Sequence, residues 1–297
     1  LVEQLAFPLC PRLHSGFQGH RPERLAREIN LCWCNFLIPL NVKQTKNQKS
    51  KRNMKRTLFI LMASCLVTLS SCRVSIGDGG TVIDPSENIV KAKFPQKPFA
   101  EVENHVVGSI RLVQSDGQSR VTLSAPANYI DLFEFKNDDG KLMINFSRDN
   151  ININSKDVVI IIYSPSLKKI KNCGAAEVRL DSLTTDELDV INSGVGAFNL
   201  TQIKTRELDI SCTGVGSITV SGQADEAEFS CSGVGSINAK DLKAREVEAS
   251  VSGVGGIECY ASEYIKGRVS GVGGLKYAGH PAKKDLNRSM TGGITEL

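Results

Sequence analysis

The sequence is poor in aromatic residues and in histidine. Of its 297 residues, 6% are aromatic, one is Trp and four are His. Only His105 and His280 lie beyond the N-terminal third, far apart in sequence, so neither a nucleophilic triad nor a three-histidine zinc site can be identified. We expect both to be surface or turn residues. The scarcity of aromatic side chains also argues against a carbohydrate-active enzyme.

An excess of positive charge is absent from most of the chain. The formal net charge is +4, but the first 72 residues hold 11 Lys/Arg against 3 Asp/Glu, which leaves 25 against 29 in residues 73–297. The larger part is therefore acidic, near −4. A basic balance of the kind that drives nucleic-acid binding is missing there, and we expect no nucleic-acid partner.

The chain also lacks an apolar run long enough for a permanent transmembrane helix. The apolar stretch 57–69 follows Met54-Lys55-Arg56 and precedes small residues, which is the order of a secretory signal. Leu69-Ser70-Ser71-Cys72 resembles a bacterial lipoprotein signal. We predict a signal peptide at 54–72 that ends at a lipidated Cys72, whose acyl chains anchor the protein to the membrane. Cys65 is the weaker alternative, since it leaves too short an apolar core.

Residues 1–53 precede a signal that should be N-terminal, and we interpret them as a non-native upstream extension. The alternative is a genuine cytoplasmic extension, in which case residues 57–69 form a buried strand or helix. Glycines and prolines punctuate residues 73–98, which predicts a flexible tether.

A Ser/Thr-Gly-Val-Gly motif recurs five times after residue 190. The intervals between first glycines are 20, 19, 20 and 18 residues. Weaker copies lie at Gly174 and Gly292. A fixed period of this length is typical of stacked supersecondary units. The first glycines are Gly194, Gly214, Gly233, Gly253 and Gly271.

Apolar residues alternate with polar ones on both sides of each motif. This predicts two half-buried strands per repeat, joined at a corner where glycine permits positive φ. Such strands cannot close a sheet alone, but coils stacked about 4.8 Å apart let each strand pair with its copies. We predict an all-β parallel β-helix with coils of about 20 residues. The frames of leucine-rich repeats, calcium-binding nonapeptides and phosphate loops are absent.

The β-helix domain is predicted to span residues 99–297, with regular repeats at 173–297. Residues 99–172 also read as strands, for example 142–146 and 158–163, and we interpret them as irregular early coils of the same solenoid. A separate small β domain is the alternative.

The rhythm of Glu-Leu-Asp-(Val/Ile) followed by Ser/Thr-Gly-Val-Gly, from Phe99-Ala100-Glu101-Val102 to Tyr277-Ala278-Gly279-His280-Pro281, resembles a known family. This is the "putative auto-transporter adhesin, head GIN domain" family of Bacteroidetes lipoproteins and secreted proteins. The resemblance covers roughly residues 99–280. It implies a right-handed β-helix at the cell envelope with an adhesive or ligand-binding role, and it transfers no catalytic residues.

Four cysteines fall within the predicted solenoid. Cys212 and Cys231 occupy the same position in successive coils, at a separation that a disulfide allows. Their side chains run parallel, however, and buried cysteine often acts as a small hydrophobe. We therefore expect free, buried thiols. Cys173 and Cys259 have no evident partner.

Eight carboxylates form the candidate ligand or cation face. They occupy two outward positions of the strand before the motif, so stacking should align them in two acidic columns. Like charges on neighbouring strands are destabilising. Water, salt and the nearby Lys204, Arg206, Lys243 and Arg245 offer one form of relief, and a divalent cation or a basic partner surface offers another. The first column holds Glu187, Glu207, Glu226 and Glu246, and the second Asp189, Asp209, Glu228 and Glu248.

The sequence thus predicts a non-enzymatic outer-membrane lipoprotein, on the surface or periplasmic face, that binds a glycan or protein ligand. No cofactor is expected beyond weak calcium binding at the acidic columns, which calorimetry can test. The alternatives are a β-helical carbohydrate-active enzyme and a periplasmic structural module that docks a partner through open coil edges.

Overall fold

The alternating pattern folds into a nearly all-β solenoid. The computed structural model describes residues 80–289 and 291–297. It is 71% strand and 4% helix, and it makes about six turns with parallel bridges roughly 20 residues apart. The predicted parallel β-helix is confirmed.

The predictions for residues 1–53, for the signal at 54–72 with Cys72, and for 73–79 lie outside the described residues. Among the described residues, no helix combines the length and the apolar character needed to cross a membrane. The described residues lie within one compact unit.

The secondary structure of the described part comprises twenty strands and two short 3-10 helices. The helices are Ala127–Leu132 and Ser155–Asp157. The strands are β1 (Thr81–Ile83), β2 (Ile89–Pro95), β3 (Glu101–Asn104), β4 (Val107–Gln114), β5 (Arg120–Pro126), β6 (Phe133–Asp138), β7 (Lys141–Phe146), β8 (Ile151–Ile153), β9 (Val159–Ser164), β10 (Lys169–Asn172), β11 (Ala175–Leu180), β12 (Leu183–Thr184), β13 (Glu187–Asn192), β14 (Val195–Cys212), β15 (Val215–Cys231), β16 (Val234–Val251), β17 (Val254–Val269), β18 (Val272–Ala278), β19 (Lys283–Arg288) and β20 (Gly292–Glu296).

Each regular coil contributes one segment to a first face, before the Gly-Val-Gly corner, and one to a second face, after it. β13 lies on the first face and pairs in parallel with the end of β14, while the start of β14 lies on the second face and pairs with β11. The long strands β14 to β17 therefore run from the second face of one coil into the first face of the next. A short third segment, such as β12 against Ile203, closes the coil.

The core fills the space between the faces. Inward residues alternate along each strand, as in β13, where Leu188 and Val190 are buried. Large and small side chains compensate between coils: Phe229 is fully enclosed and is followed in its column by Ala249 and then Gly267. Interdigitation of this kind preserves close packing without gaps between coils.

One buried column is polar. Asn104, Asn172 and Asn192 stack in successive coils, and the Nδ2 of Asn104 donates to the Oδ1 of Asn172 at 2.8 Å. Asn172 in turn donates to the Oδ1 of Asn192 at 3.1 Å. Higher in the stack, the column continues as Cys212 and Cys231. The amide ladder gives hydrogen-bond partners to polar groups that would otherwise be buried without them.

The lower end of the solenoid is built out of sequence order. β3 pairs in parallel with β10 above it and with β7 below it, although β7 follows β3 in the chain. Similarly, β4 lies between β11 and β9. The parallel strands β3, β4, β7 and β9 thus extend the stack that β10 and β11 begin.

Antiparallel strands cover that lower end. β5 pairs with β9, β2 pairs with β5, and β6 pairs with β7. This covered end differs from the series of coils that the sequence suggested. β2 lies within the segment that was expected to form a tether. Its alternating Val90, Ala92 and Phe94 pack toward the protein. Ordered structure therefore begins before residue 99.

The upper end is open. β19 pairs with β17 and β20 pairs with β18. Within residues 80–289 and 291–297, no strand pairs with the other edge of β19 or β20. Every residue of β19 is exposed.

Candidate ligand-binding face

The strand register aligns the eight predicted carboxylates in two columns on the first face. Glu187 pairs with Glu207, and Asp189 with Asp209, across β13 and β14. The same register continues upward through β15 and β16. Neighbouring rungs of a parallel sheet lie about 4.8 Å apart, so like charges stand directly above one another. We call this arrangement the acidic ladder.

Lysines close both ends of the acidic ladder. At the lower end, Lys169 lies beneath Asp189, with its Nζ 2.6 Å from a carboxylate oxygen. At the upper end, the Nζ of Lys266 lies 2.7 Å from Glu248. The hydrogen bond to the partner carboxylate raises the pKa of each lysine. The lysines therefore neutralise Asp189 and Glu248, the terminal carboxylates of the second column.

Four other carboxylates of the acidic ladder have no such compensation. In the described part of the chain, no ion pair involves Asp209, Glu226, Glu228 or Glu246. These residues line a groove of about 420 Å³. Loss of hydration raises the pKa of Asp209, and the charges of Glu228, Asp189 and Glu207 add to this shift. The groove therefore concentrates negative potential.

The expected basic neighbours relieve little of this charge. Arg206 pairs with Glu207 at 2.9 Å. Arg245, in contrast, pairs with Glu263 at 2.9 Å, and the ammonium of Lys243 stands 3.7 Å from the ring centroid of Tyr260. Lys204 lies with Lys243 and Arg245 in a separate groove.

Small polar and apolar stripes run beside the acidic ladder toward the corner. Ser211, Ser230 and Ser250 align in one column. Beyond them, the corner valines form an apolar ridge in which each side chain is 47–55% exposed. Stacking therefore turns a 20-residue motif into continuous stripes of acidic, hydroxyl and apolar character. The ridge consists of Val195, Val215, Val234, Val254 and Val272.

The cysteine pair is unbonded. Cys212 and Cys231 are adjacent in register, buried and present as free thiols, as expected. The hydrogen bond that the Cys231 thiol donates to Cys212, and then burial, raise the pKa of Cys231. Burial also raises the pKa of Cys259 to about 12. These three thiols act as core residues.

Sequence reasoning missed one mixed cluster. Cys173, expected to have no partner, lies with its Sγ 3.6 Å from Glu103 Oε1, and the Nε2 of His105 lies 3.0 Å from the same oxygen. The long excursion between β3 and β10 hides their alignment in the sequence. The other histidine among the described residues, His280, contacts Glu296 at 3.1 Å. In later coils, Ser or Thr occupies the position of Cys173. This departure from the repeat is the feature of the sequence that pointed to the cluster.

The chain resembles known adhesin-like proteins. Residues 98–281 match the family described as "Putative auto-transporter adhesin, head GIN domain". A crystallised putative adhesin from Bacteroides fragilis NCTC 9343 is 34% identical with a TM-score of 0.70, and the match covers 72% of this chain and 100% of that chain. No curated protein matches the chain.

Two proteins from Parabacteroides distasonis ATCC 8503 share the fold at lower identity. One is described as a putative adhesin, with 20% identity and a TM-score of 0.59. The other is described as a putative lipid binding protein, with 21% identity and a TM-score of 0.59. In both cases the match covers 73% of this chain and 100% of the other.

Proposed function

This chain belongs to the putative auto-transporter adhesin, head GIN domain family, and we propose on that premise that it is a non-enzymatic binding protein of the cell envelope. Its ligand is a protein or a glycan, bound along the first face of the solenoid. A lipid on Cys72 anchors it to the outer membrane.

The observation that carries this proposal is the group of four uncompensated carboxylates in the acidic ladder. Lysines neutralise Asp189 and Glu248 at the two ends of the second column, whereas Asp209, Glu226, Glu228 and Glu246 lack cationic partners among the described residues. Repulsion between stacked carboxylates lowers stability, and a bound cationic group relieves it. A groove of this kind favours a ligand with basic groups at short spacing.

Protein ligands fit this surface best. A basic segment can place ammonium or guanidinium groups over the acidic ladder while apolar side chains contact the valine ridge. Calcium is the alternative occupant, held weakly by exposed carboxylates and able to bridge to a glycan.

Binding to immobilised polylysine at low salt tests the acidic ladder. The fourfold variant D209N/E226Q/E228Q/E246Q should lose at least about 10-fold in affinity. The matched control, D116N/D138N/D149N/D157N, removes four exposed carboxylates elsewhere and should lose far less. Equal losses in the two variants would remove the acidic ladder as the binding surface. Calorimetry with calcium chloride on the same proteins tests the alternative occupant.

Protease treatment of intact cells tests the location. Removal of the domain places it on the outer surface and supports adhesion. Protection until the outer membrane is opened directs the search to periplasmic partners. A C72A variant that still partitions with membranes would contradict the lipid anchor.

The open upper end supports a second candidate, a module that docks a partner strand. β19 presents an unpaired edge within the described residues, and such edges template strand addition. Hydrogen exchange tests this: β19 amides should be protected in native membrane vesicles and exchange rapidly in the purified protein. Rapid exchange in both would exclude docking there.

A further inference from the structure

The residues just before the corner stack in a column, and two neighbouring coils carry residue types there that differ from the rest. In six coils, the residue that stacks at this corner position is Ser or Thr, whereas the two coils below them carry His105 and Cys173. Cys173 stacks on His105, and its backbone N–H donates to Asn104 at 2.8 Å. A break in an otherwise uniform repeat marks a position with its own chemistry. The six are Ser193, Thr213, Ser232, Ser252, Ser270 and Ser289.

Glu103 joins these two residues. Its Oε1 lies 3.0 Å from His105 Nε2 and 3.6 Å from Cys173 Sγ, and the three ligand atoms all lie within 4.8 Å of one another. Zinc bonds of about 2.0–2.3 Å place the corners of a tetrahedron about 3.3–3.8 Å apart. We propose that Glu103, His105 and Cys173 form a zinc site with three protein ligands.

The backbone already holds the ligands in place. Glu103 is only 8% exposed, and its strand, β3, pairs in register with β10. Ser193 Oγ donates to Cys173 Sγ at 3.4 Å and orients it from the coil above. The three ligands themselves therefore need little reorganisation, which favours affinity.

The fourth position faces a large cavity. His105 and Cys173 line a space of about 640 Å³ together with Glu134 and Asp149. Water or an external donor can therefore complete the tetrahedron, as in zinc sites that keep an open position. When zinc binds, the Cys173 S–H bond breaks, the S–Zn bond forms and the proton leaves to solvent.

Two lysines contact the Glu103 carboxylate and affect zinc binding in different ways. Lys171 donates to Glu103 Oε1 at 3.1 Å and occupies the side that zinc needs, whereas Lys141 contacts Oε2. Lys171 is 34% exposed at its side chain and can swing into water. Lys141 can stay on Oε2 and orient the carboxylate. Lys171 is therefore a competitor for the site.

Zinc titration of the untagged full chain, with cobalt(II) as a spectroscopic substitute, tests the site. Wild type should bind one more equivalent than C173S and should give a thiolate-to-cobalt charge-transfer absorption that C173S lacks. Cysteines elsewhere are common to both proteins and cancel in the difference. H105A should weaken binding at least about 10-fold.

Lys171→Met separates a metal site from a structural cluster. Removing the competing cation should tighten zinc binding at least about 5-fold. His280→Ala, which removes the other histidine that pairs with a carboxylate, should change nothing and serves as the matched control.

Equal zinc stoichiometry in wild type and C173S would overturn the proposal. So would unchanged affinity in both H105A and K171M. If C173S fails to fold, the cobalt spectrum and affinity of H105A and K171M decide the question. None of these readouts depends on the acidic ladder, so failure here leaves the proposed binding function standing.

Discussion

Gly216 lies directly on Gly196 at the corner, and a Cβ on Gly216 would stand 1.8 Å from the Gly196 carbonyl oxygen. Its φ of +146° adds a conformational reason for glycine. We expect Gly216→Ala to destabilise the solenoid by at least about 2 kcal/mol, because neighbouring coils must separate. Urea denaturation checks this. Gly293→Ala is the control, since no atom lies within 4 Å of its Cβ position, and an equal loss there would contradict the stacking argument.

The acidic ladder should cost stability. Asp209→Asn removes one charge from its middle and should stabilise the protein by about 0.5 kcal/mol, with a smaller gain at high salt. Asp116→Asn, at an exposed site elsewhere, should have little effect. Thermal denaturation at low and high salt measures the difference. Destabilisation by D209N at both salt concentrations would contradict the repulsion.

The pH dependence of this effect has a definite sign. The pKa of Asp209 is raised above its ordinary 3.8, so the folded state binds the proton more readily than the unfolded state. At low pH Asp209 is protonated and adds no charge repulsion. As pH rises through the raised pKa, the carboxyl ionises and the free energy of unfolding falls. The advantage of D209N over wild type should therefore grow as pH rises from 3.8 and then level off. A constant advantage over that range would contradict the shift.

The asparagine ladder should be coupled. Asn172→Val leaves the amide of Asn104 and the carbonyl of Asn192 without their partner and should cost about 1–3 kcal/mol. The double variant N104V/N172V should cost less than the sum of the single variants, because both partners of one hydrogen bond disappear together. Strict additivity in a double-mutant cycle would rule out coupling.

Thiol accessibility should separate the four solenoid cysteines. Iodoacetamide should label Cys173 in the native, metal-free chain, whereas Cys212, Cys231 and Cys259 should react only after unfolding, because they are buried. Peptide mass spectrometry identifies the labelled sites. A disulfide-linked peptide joining Cys212 and Cys231 would contradict the free pair.

The regular coils could be predicted because their signals are local. The glycine period and the alternation around it determine the strand pairing, so the stacking of Glu207 on Glu187 followed from counting alone. The lysines that close the acidic ladder were less evident. Lys169 and Lys266 occupy ladder positions in irregular coils, where the acidic pattern stops.

The lower end could not be predicted from spacing. Its partners are far apart in sequence, as with Lys171 and Glu103, 68 residues apart, and antiparallel strands interrupt the period. The cluster of Glu103, His105 and Cys173 depends on that pairing. Periodicity identifies neighbours only while successive coils follow one another, and here they do not.

The out-of-order lower coils have a kinetic consequence. During synthesis β3 and β4 emerge before the other parallel strands of the stack, so both of their neighbouring layers come later in the chain. Closing such long loops carries an entropic cost before any contact is gained, whereas the regular coils need only about 20 residues to meet their next copy. Folding is thus expected to nucleate among the regular coils and to complete the N-terminal end last. In a nascent chain of this architecture, β3 and β4 are therefore expected to wait for β7, β9, β10 and β11 before they can pair on both edges.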